Sequence, residues 1–280
     1  MSTTGTRLAL ALGGRLEPRP RSGRAPRGLA QRTLPALLFG VLLLALWQGY
    51  VAVSGVRASI FPSPVEVGRA HVRDRSTLLD SSGTTLLEIL LGYAIAVVVG
   101  VALATAVSNS RLIERALYPW LVASQMIPIP ALAPVVVLWT GFDIRPKLIV
   151  IALFTFFPIA VNTIDGLRAT EPELVGLLRT LGAGRWQIFR IARLPSALPY
   201  VFSGLRVAAA FAVIAAVVAE WVGTSSSSGL GYLILSYSSQ TLTADVFAVV
   251  VVLSAIGVAL FGAVGALERL LVPWWALEAD

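Results

Sequence analysis

Six stretches of this chain are long and apolar enough to cross a lipid bilayer, and that leaves almost no freedom of fold. A crossing helix needs about 20 predominantly apolar residues. The stretches lie at about 34–53 (LPALLFGVLLLALWQGYVAV), 84–107, 118–140, 147–167, 202–223 and 245–267. Several are rich in Val and Ile, yet an open sheet edge cannot face hydrocarbon, where every backbone N–H and C=O must be satisfied internally. Charge agrees: only 13% of residues are Asp, Glu, Lys or Arg, against about 25% in a soluble domain. The expected fold class is all-α, a polytopic membrane protein of about six transmembrane helices in a domain spanning 34–275. Residues 1–33 hold seven Arg with scattered Gly and Pro, and read as a disordered, basic, cytoplasmic tail.

Topology follows from the loop cations. With the N-terminus inside, sixteen of the 22 Lys and Arg fall on the cytoplasmic side and six outside, the six being Arg57, Arg69, Arg73, Arg75, Arg145 and Lys147. Both termini are therefore expected in the cytoplasm. The net charge of +7 comes from arginines clustered between apolar runs. That is a topology signal, and nucleic acid is not an expected partner.

The residues that are missing exclude most chemistry. Lys147 is the one lysine and follows Pro146, so no G-x-x-x-x-G-K-[ST] phosphate loop exists. If ATP drives this protein, another chain hydrolyses it. His71 is the one histidine and there is no cysteine, so a His-pair or thiolate zinc site cannot form from this chain alone. His71 reads as a solvated loop residue, and no catalytic residue, cofactor or metal is assigned.

Several groups inside the spans have two readings. Pro119, Pro128, Pro130 and Pro134 break the third span, freeing carbonyls that protein or water must satisfy. Gln125, Pro128 and Pro130 thus either line a translocation path or mark a kinked packing helix. Phe157, in FTFFP at 154–158, packs in the core or offers a stacking face to a planar solute. Asn162 and Asp165 close the fourth span as cap, anchor or path residues. Glu220 is a snorkelling interfacial acid or a gate or pore residue of the translocation path. Glu88 sits one turn inside the second span and must face protein or water.

Between spans four and five lies an inner loop at about 168–198 containing LGAGRWQIFRIARLP. It is far longer than a simple connection, and no apolar run in it could cross the bilayer. Gly182 and Gly184 break a helix, and Pro195 is expected to end one. The pattern predicts a short helix, a glycine turn, a second helix, then return to the membrane. Trp186 and Phe189 are exposed aromatic side chains fit for a protein partner.

This loop resembles the cytoplasmic EAA loop of binding-protein-dependent ABC importer permeases, which reads E-A-A, three residues, G, nine residues, I-x-L-P. In GLLRTLGAGRWQIFRIARLP at 176–195, Gly182 falls on the motif glycine and Leu194-Pro195 on the terminal pair. Gly176 stands where the motif has Glu, Leu177 and Leu178 where it has Ala, and Ala192 where it has Ile. FPSPVEV at 61–67, SQMIPIPALAPVVVLW at 124–139, LPSALPYVFSGLRVA at 194–208 and GLGYLI at 229–234 are similar to the branch handling sulfonates, taurine, nitrate, thiamine-precursor pyrimidines and riboflavin. The resemblance implies a MetI-like type I importer permease in a bacterial inner membrane. It implies a second permease copy completing the pore, ABC ATPase subunits carrying ATP and Mg, and an extracytoplasmic substrate-binding protein. Arg179, Thr180, Leu181, Gly182, Ala183, Arg185, Trp186 and Pro195 would form the ATPase-coupling loop. The transported solute would be a small organic molecule, such as a thiamine-precursor pyrimidine, riboflavin or an aliphatic sulfonate. A secondary transporter or channel independent of an ATPase is the competing expectation, since a broken helix among six spans serves both.

Overall fold

A computed structural model describes residues 29–108, 111–124, 126–222 and 228–276. All regular structure in them is helical. Five helices are long and apolar enough to cross a membrane. By backbone proximity the chain separates at Gly49–Tyr50. The first of these helices, α1 (Leu29–Ser54), starts five residues ahead of the expected span.

From Tyr50 onward the fold is built on three long helices, α3 (Arg75–Ser108), α6 (Ile144–Arg168) and α9 (Leu194–Val222). α6 packs along α3 on one side and α9 on the other. The sequence makes this possible with small residues. Gly92, Ala96, Gly100 and Ala104 recur every fourth position on α3 and are buried. A Cβ on Gly92 would lie 2.7 Å from the Ile151 side chain. On α9 the buried stripe includes Ala208, Ala212, Ala215, Ala216 and Ala219. Lipid tails are as apolar as leucine, so helices in a bilayer gain from close backbone approach rather than from burial of large apolar groups.

Around this core lie shorter elements. Ser63 starts α2 (Pro64–Arg73) with a full capping box. The Glu66 N–H donates to Ser63 Oγ (3.3 Å), and the Ser63 N–H donates to Glu66 Oε2 (2.7 Å). The Ser63 backbone N–H, and then its hydroxyl, hold the Glu66 carboxyl below its ordinary range. α11 (Thr243–Leu271) packs on α9 and α2, and α12 (Pro273–Ala276) follows it.

Three expectations change. The third span is two helices, α4 (Arg111–Ser124) and α5 (Ile129–Thr140). At 1.5 Å per residue they extend about 21 and 18 Å, short of the roughly 30 Å hydrocarbon layer. Pro128 caps α5 and Pro130 sits in its first turn, where the missing N–H has no bond to lose. The region after the fifth span is not simply a loop: it contains α10 (Leu230–Ser239). Pro195 does not end a helix. α8 (Arg185–Ile188) passes through a π-helical turn, Phe189–Arg193, directly into α9. The Leu194 N–H reaches back five residues to Phe189 O. Pro195 then falls in the first turn of α9, where its absent donor is tolerated.

Candidate functional site: the docking turn

α7 (Pro172–Thr180) leaves the end of α6 and buries none of its side chains. It stops at Leu181 in a Schellman turn. The Ala183 N–H donates to Leu178 O (2.9 Å) and the Gly182 N–H to Arg179 O (3.0 Å). Gly182 takes φ +81°, which costs an L-residue about 1–2 kcal/mol. No atom lies within 4 Å of where its Cβ would be. Glycine is required here by backbone conformation, not by lack of room. The chain restarts at Gly184, whose N–H donates to Gln187 Oε1 (2.8 Å). Thr180 Oγ1 donates back to Gly176 O (3.1 Å).

The turn displays apolar surface at its tip. Leu181 is 73% exposed and Trp186 71%. Trp186 stacks on Phe189 with ring centroids 5.5 Å apart and planes at 20°. Arg179 and Arg185 flank these groups and are exposed. The buried Ile188 and Ala192 anchor the segment beneath. Aromatic, leucine and arginine side chains held out on a rigid support have the composition of an interface centre. Arg179, Thr180, Leu181, Gly182, Ala183, Arg185 and Trp186 are brought together in this one turn. Pro195 stands apart, in the first turn of α9.

The path candidates are dispersed. Gln125 lies outside the described residues. Pro128 and Pro130 are exposed. Phe157 is half-buried and meets Phe156 edge to face (5.1 Å, 74°). Both pack against the Ala104, Val107, Leu121 and Ile164 cluster. Asn162 lies within α6, where its Nδ2 donates to Pro158 O (2.8 Å) and its Cβ faces Gly204. It is therefore a side chain of the α6–α9 contact rather than a helix cap. Asp165 is exposed beside Arg168 (3.8 Å).

Glu220 departs furthest from expectation. It is fully buried, neither snorkelling at an interface nor facing open space. Thr85 Oγ1 donates to its Oε1 (2.6 Å), and the Gly231 and Tyr232 N–H groups donate to its Oε2 (2.5 and 3.2 Å). The carboxylate thus organises the start of α10. Glycine is needed at 229 because the chain passes directly over that carboxylate with φ +115°.

Nearby, Lys147 Nζ donates to Glu88 Oε1 at 2.7 Å, with both side chains 2–3% exposed. Sequence reasoning counted Lys147 as an outer-loop cation; it is an internal partner of α3. The signal was present in part, since an acid inside a span needs a polar or charged partner and the chain has a single lysine. At the same end of the bundle Arg73 pairs with Asp245, and Tyr237 Oη donates to Asp74 (3.0 Å). Burial and the Asp74 carboxylate push the Tyr237 phenol up to about 12. Among the described residues no three His, Cys, Asp or Glu side chains gather as metal ligands would.

Comparison with known proteins agrees with this architecture. Residues 96–273 match the family described as the binding-protein-dependent transport system inner membrane component. The chain is 39% identical over 244 residues to the formylaminopyrimidine transport permease protein ThiX of Halalkalibacterium halodurans, covering 87% of this chain and 96% of that one. It is 39% identical over 267 residues to the riboflavin transport system permease protein RibX of Chloroflexus aurantiacus, covering 94% and 97%. The putative aliphatic sulfonates transport permease protein SsuC of Bacillus subtilis is 30% identical over 243 residues, covering 86% and 87%. With the family matched from the middle of α3 to the end of α11, and the docking turn inside the match, this chain belongs to the inner-membrane permease components of binding-protein-dependent ABC transport systems.

Proposed function

We propose that this chain forms half of the translocation pore of an ATP-driven importer, with a second permease copy supplying the other half. Both termini and the docking turn lie in the cytoplasm, where ABC ATPase subunits carrying ATP and Mg receive the turn. A substrate-binding protein delivers the solute from the opposite side. The observation that carries the reading is the Gly182 Schellman turn, which holds Leu181 and Trp186 out on a segment continuous with a membrane helix. The solute is a small organic molecule of the kind named for the relatives, a formylaminopyrimidine, a flavin or an aliphatic sulfonate. Gln125, Pro128, Pro130, Phe157 and Asn162 are proposed along or beside its path.

The test is Gly182→Asp or Gly182→Arg in the full transporter. Each should abolish ATP-dependent uptake and co-purification of the ATPase while the chain still inserts in the membrane. Normal uptake by either variant removes the assigned docking turn. Uptake that ignores ATP and collapses with a protonophore supports a secondary transporter instead.

A further inference from the structure

Behind α7 the molecule holds a cleft of about 710 Å³, walled by the ends of α3 and α6, the start of α4, and α8 with its π turn. Pro172, Val175, Gly176 and Arg179 of α7 line it. Their spacing places them on one helix face. Leu177, Leu181 and Trp186, exposed apolar groups of this segment, are not on its wall, whereas Arg179 and Arg185 are. A protein seated on Leu177, Leu181 and Trp186 leaves the opposite face of α7, with Pro172, Val175, Gly176 and Arg179, toward the cleft.

The cleft is positive and not neutralised. Arg168, Arg179, Arg185 and Arg193 line it, with Glu114 as its one acid. Glu114 is taken by Arg168, which also approaches Asp165 and lies over the Tyr118 ring. Arg179, Arg185 and Arg193 form no ion pair among the described residues. Among the described residues two hydroxyl oxygens on the same wall have no hydrogen-bond partner: Thr170 Oγ1, in a residue 8% exposed, and Ser108 Oγ. A buried hydroxyl without a hydrogen bond is costly, so Thr170 Oγ1 in particular points to a missing acceptor. Guanidinium groups beside hydroxyl donors suit the oxygens of a phosphate.

The cleft's place decides the source. It opens where α3 and α6 end, beside exposed Leu112 and Ile113, and its volume is that of a pocket for a molecule well beyond a bare ion. Basic pockets between membrane helices on the cytoplasmic side suit anionic lipid headgroups. We propose that this cleft binds the phosphodiester headgroup of an anionic phospholipid of the cytoplasmic leaflet, held by Arg179, Arg185 and Arg193. The inference rests on the orientation given under the proposed function. Gly176 faces the cleft, and no atom lies within 4 Å of where its Cβ would be. A carboxylate grown from that position would enter the cleft and replace the lipid.

The experiment uses the assembled transporter in phosphatidylcholine nanodiscs, with phosphatidylglycerol or inorganic phosphate added in separate arms. Bound lipid is read by native mass spectrometry and stability by thermal unfolding. Phosphatidylglycerol should be retained over phosphatidylcholine and raise the midpoint. Arg179→Gln with Arg193→Gln should weaken that retention about tenfold or more, as loss of charge-assisted bonds implies. Gly176→Glu should abolish retention and raise the lipid-free midpoint, whereas Gly176→Gln, with similar helix propensity and no charge, should leave retention intact. Equal retention of both lipids, retention unchanged in the arginine variant, or an equal shift from inorganic phosphate overturns the proposal. So does protection of these arginines by the ATPase instead of lipid. ATP-dependent uptake in phosphatidylglycerol proteoliposomes separates the two readings: uptake without lipid selectivity removes the lipid site alone, and uptake independent of ATP removes the importer.

Discussion

Replacing Lys147 by Met tests whether α3 and α6 are joined by a buried charge. The Nζ–Oε1 distance is 2.7 Å and neither side chain exceeds 3% exposure. Removing the ammonium leaves the Glu88 carboxylate buried without a cation, which costs about 3–5 kcal/mol. Replacing both residues by Met removes the stranded charge as well. An apolar pair of similar volume in a buried site is commonly neutral or stabilising, so the double variant should fall within about 1 kcal/mol of the parent. The coupling energy from the four-membered cycle is then about 3 kcal/mol or more, at the top of the range for directly interacting residues. The measurement is SDS-induced unfolding of the detergent-solubilised transporter for the parent, Lys147→Met, Glu88→Met and the double variant. Additive losses, or a single-variant loss below about 1 kcal/mol, would refute the buried pair.

Gly229→Ala should destabilise by at least about 1–2 kcal/mol, because φ is +115° and the Glu220 carboxylate occupies the space its Cβ needs. Gly262→Ala, with no atom within 4 Å, should be neutral or better in the same unfolding assay. Tyr237 is raised to about 12 in the fold from an unfolded value of about 10. Its contribution is complete below pH 10 and is lost as the pH climbs through 12. Tyr237→Phe should remove that alkaline slope, seen in unfolding midpoints across this window. Ser63→Ala should loosen α2 by about 1 kcal/mol, read as faster amide exchange at Val67 and Ala70.

The membrane spans were legible because a 20-residue apolar run has few alternatives, and the break at Pro128 and Pro130 was legible because proline acts locally. The glycine turn at 181–184 was legible for the same reason, its glycine marking one backbone state. What escaped depends on distant residues. Glu88 and Lys147 are 59 positions apart, and an average over hydropathy does not say whether a cation at a span end turns outward or inward. Glu220 is defined by Thr85 and by the Gly231 and Tyr232 amides, which no local pattern joins. Pro195 was misjudged because its local rule met a compensating one, a π turn that shifts the hydrogen-bond ladder just ahead of it. α10 was missed because ten residues fall below any span criterion. The alternation of glycine and alanine on α3 was readable every fourth residue, and is the one part of the packing that the chain spelled out openly.

Beyond Pro199, α9 has the form of a rigid arm. From Tyr200 to Val222 no proline interrupts the helix, a rod of about 34 Å at 1.5 Å per residue. Residues 194–199, with Pro195 and Pro199 among them, join it to the π turn and the segment carrying Trp186, and its far end carries Glu220, clasping the first amides of α10. A tilt of that arm by about 5° about Tyr200 would carry Glu220 about 3 Å. That is as long as the hydrogen bonds Glu220 makes to the Gly231 and Tyr232 amides, so α10 must move with α9 or lose them.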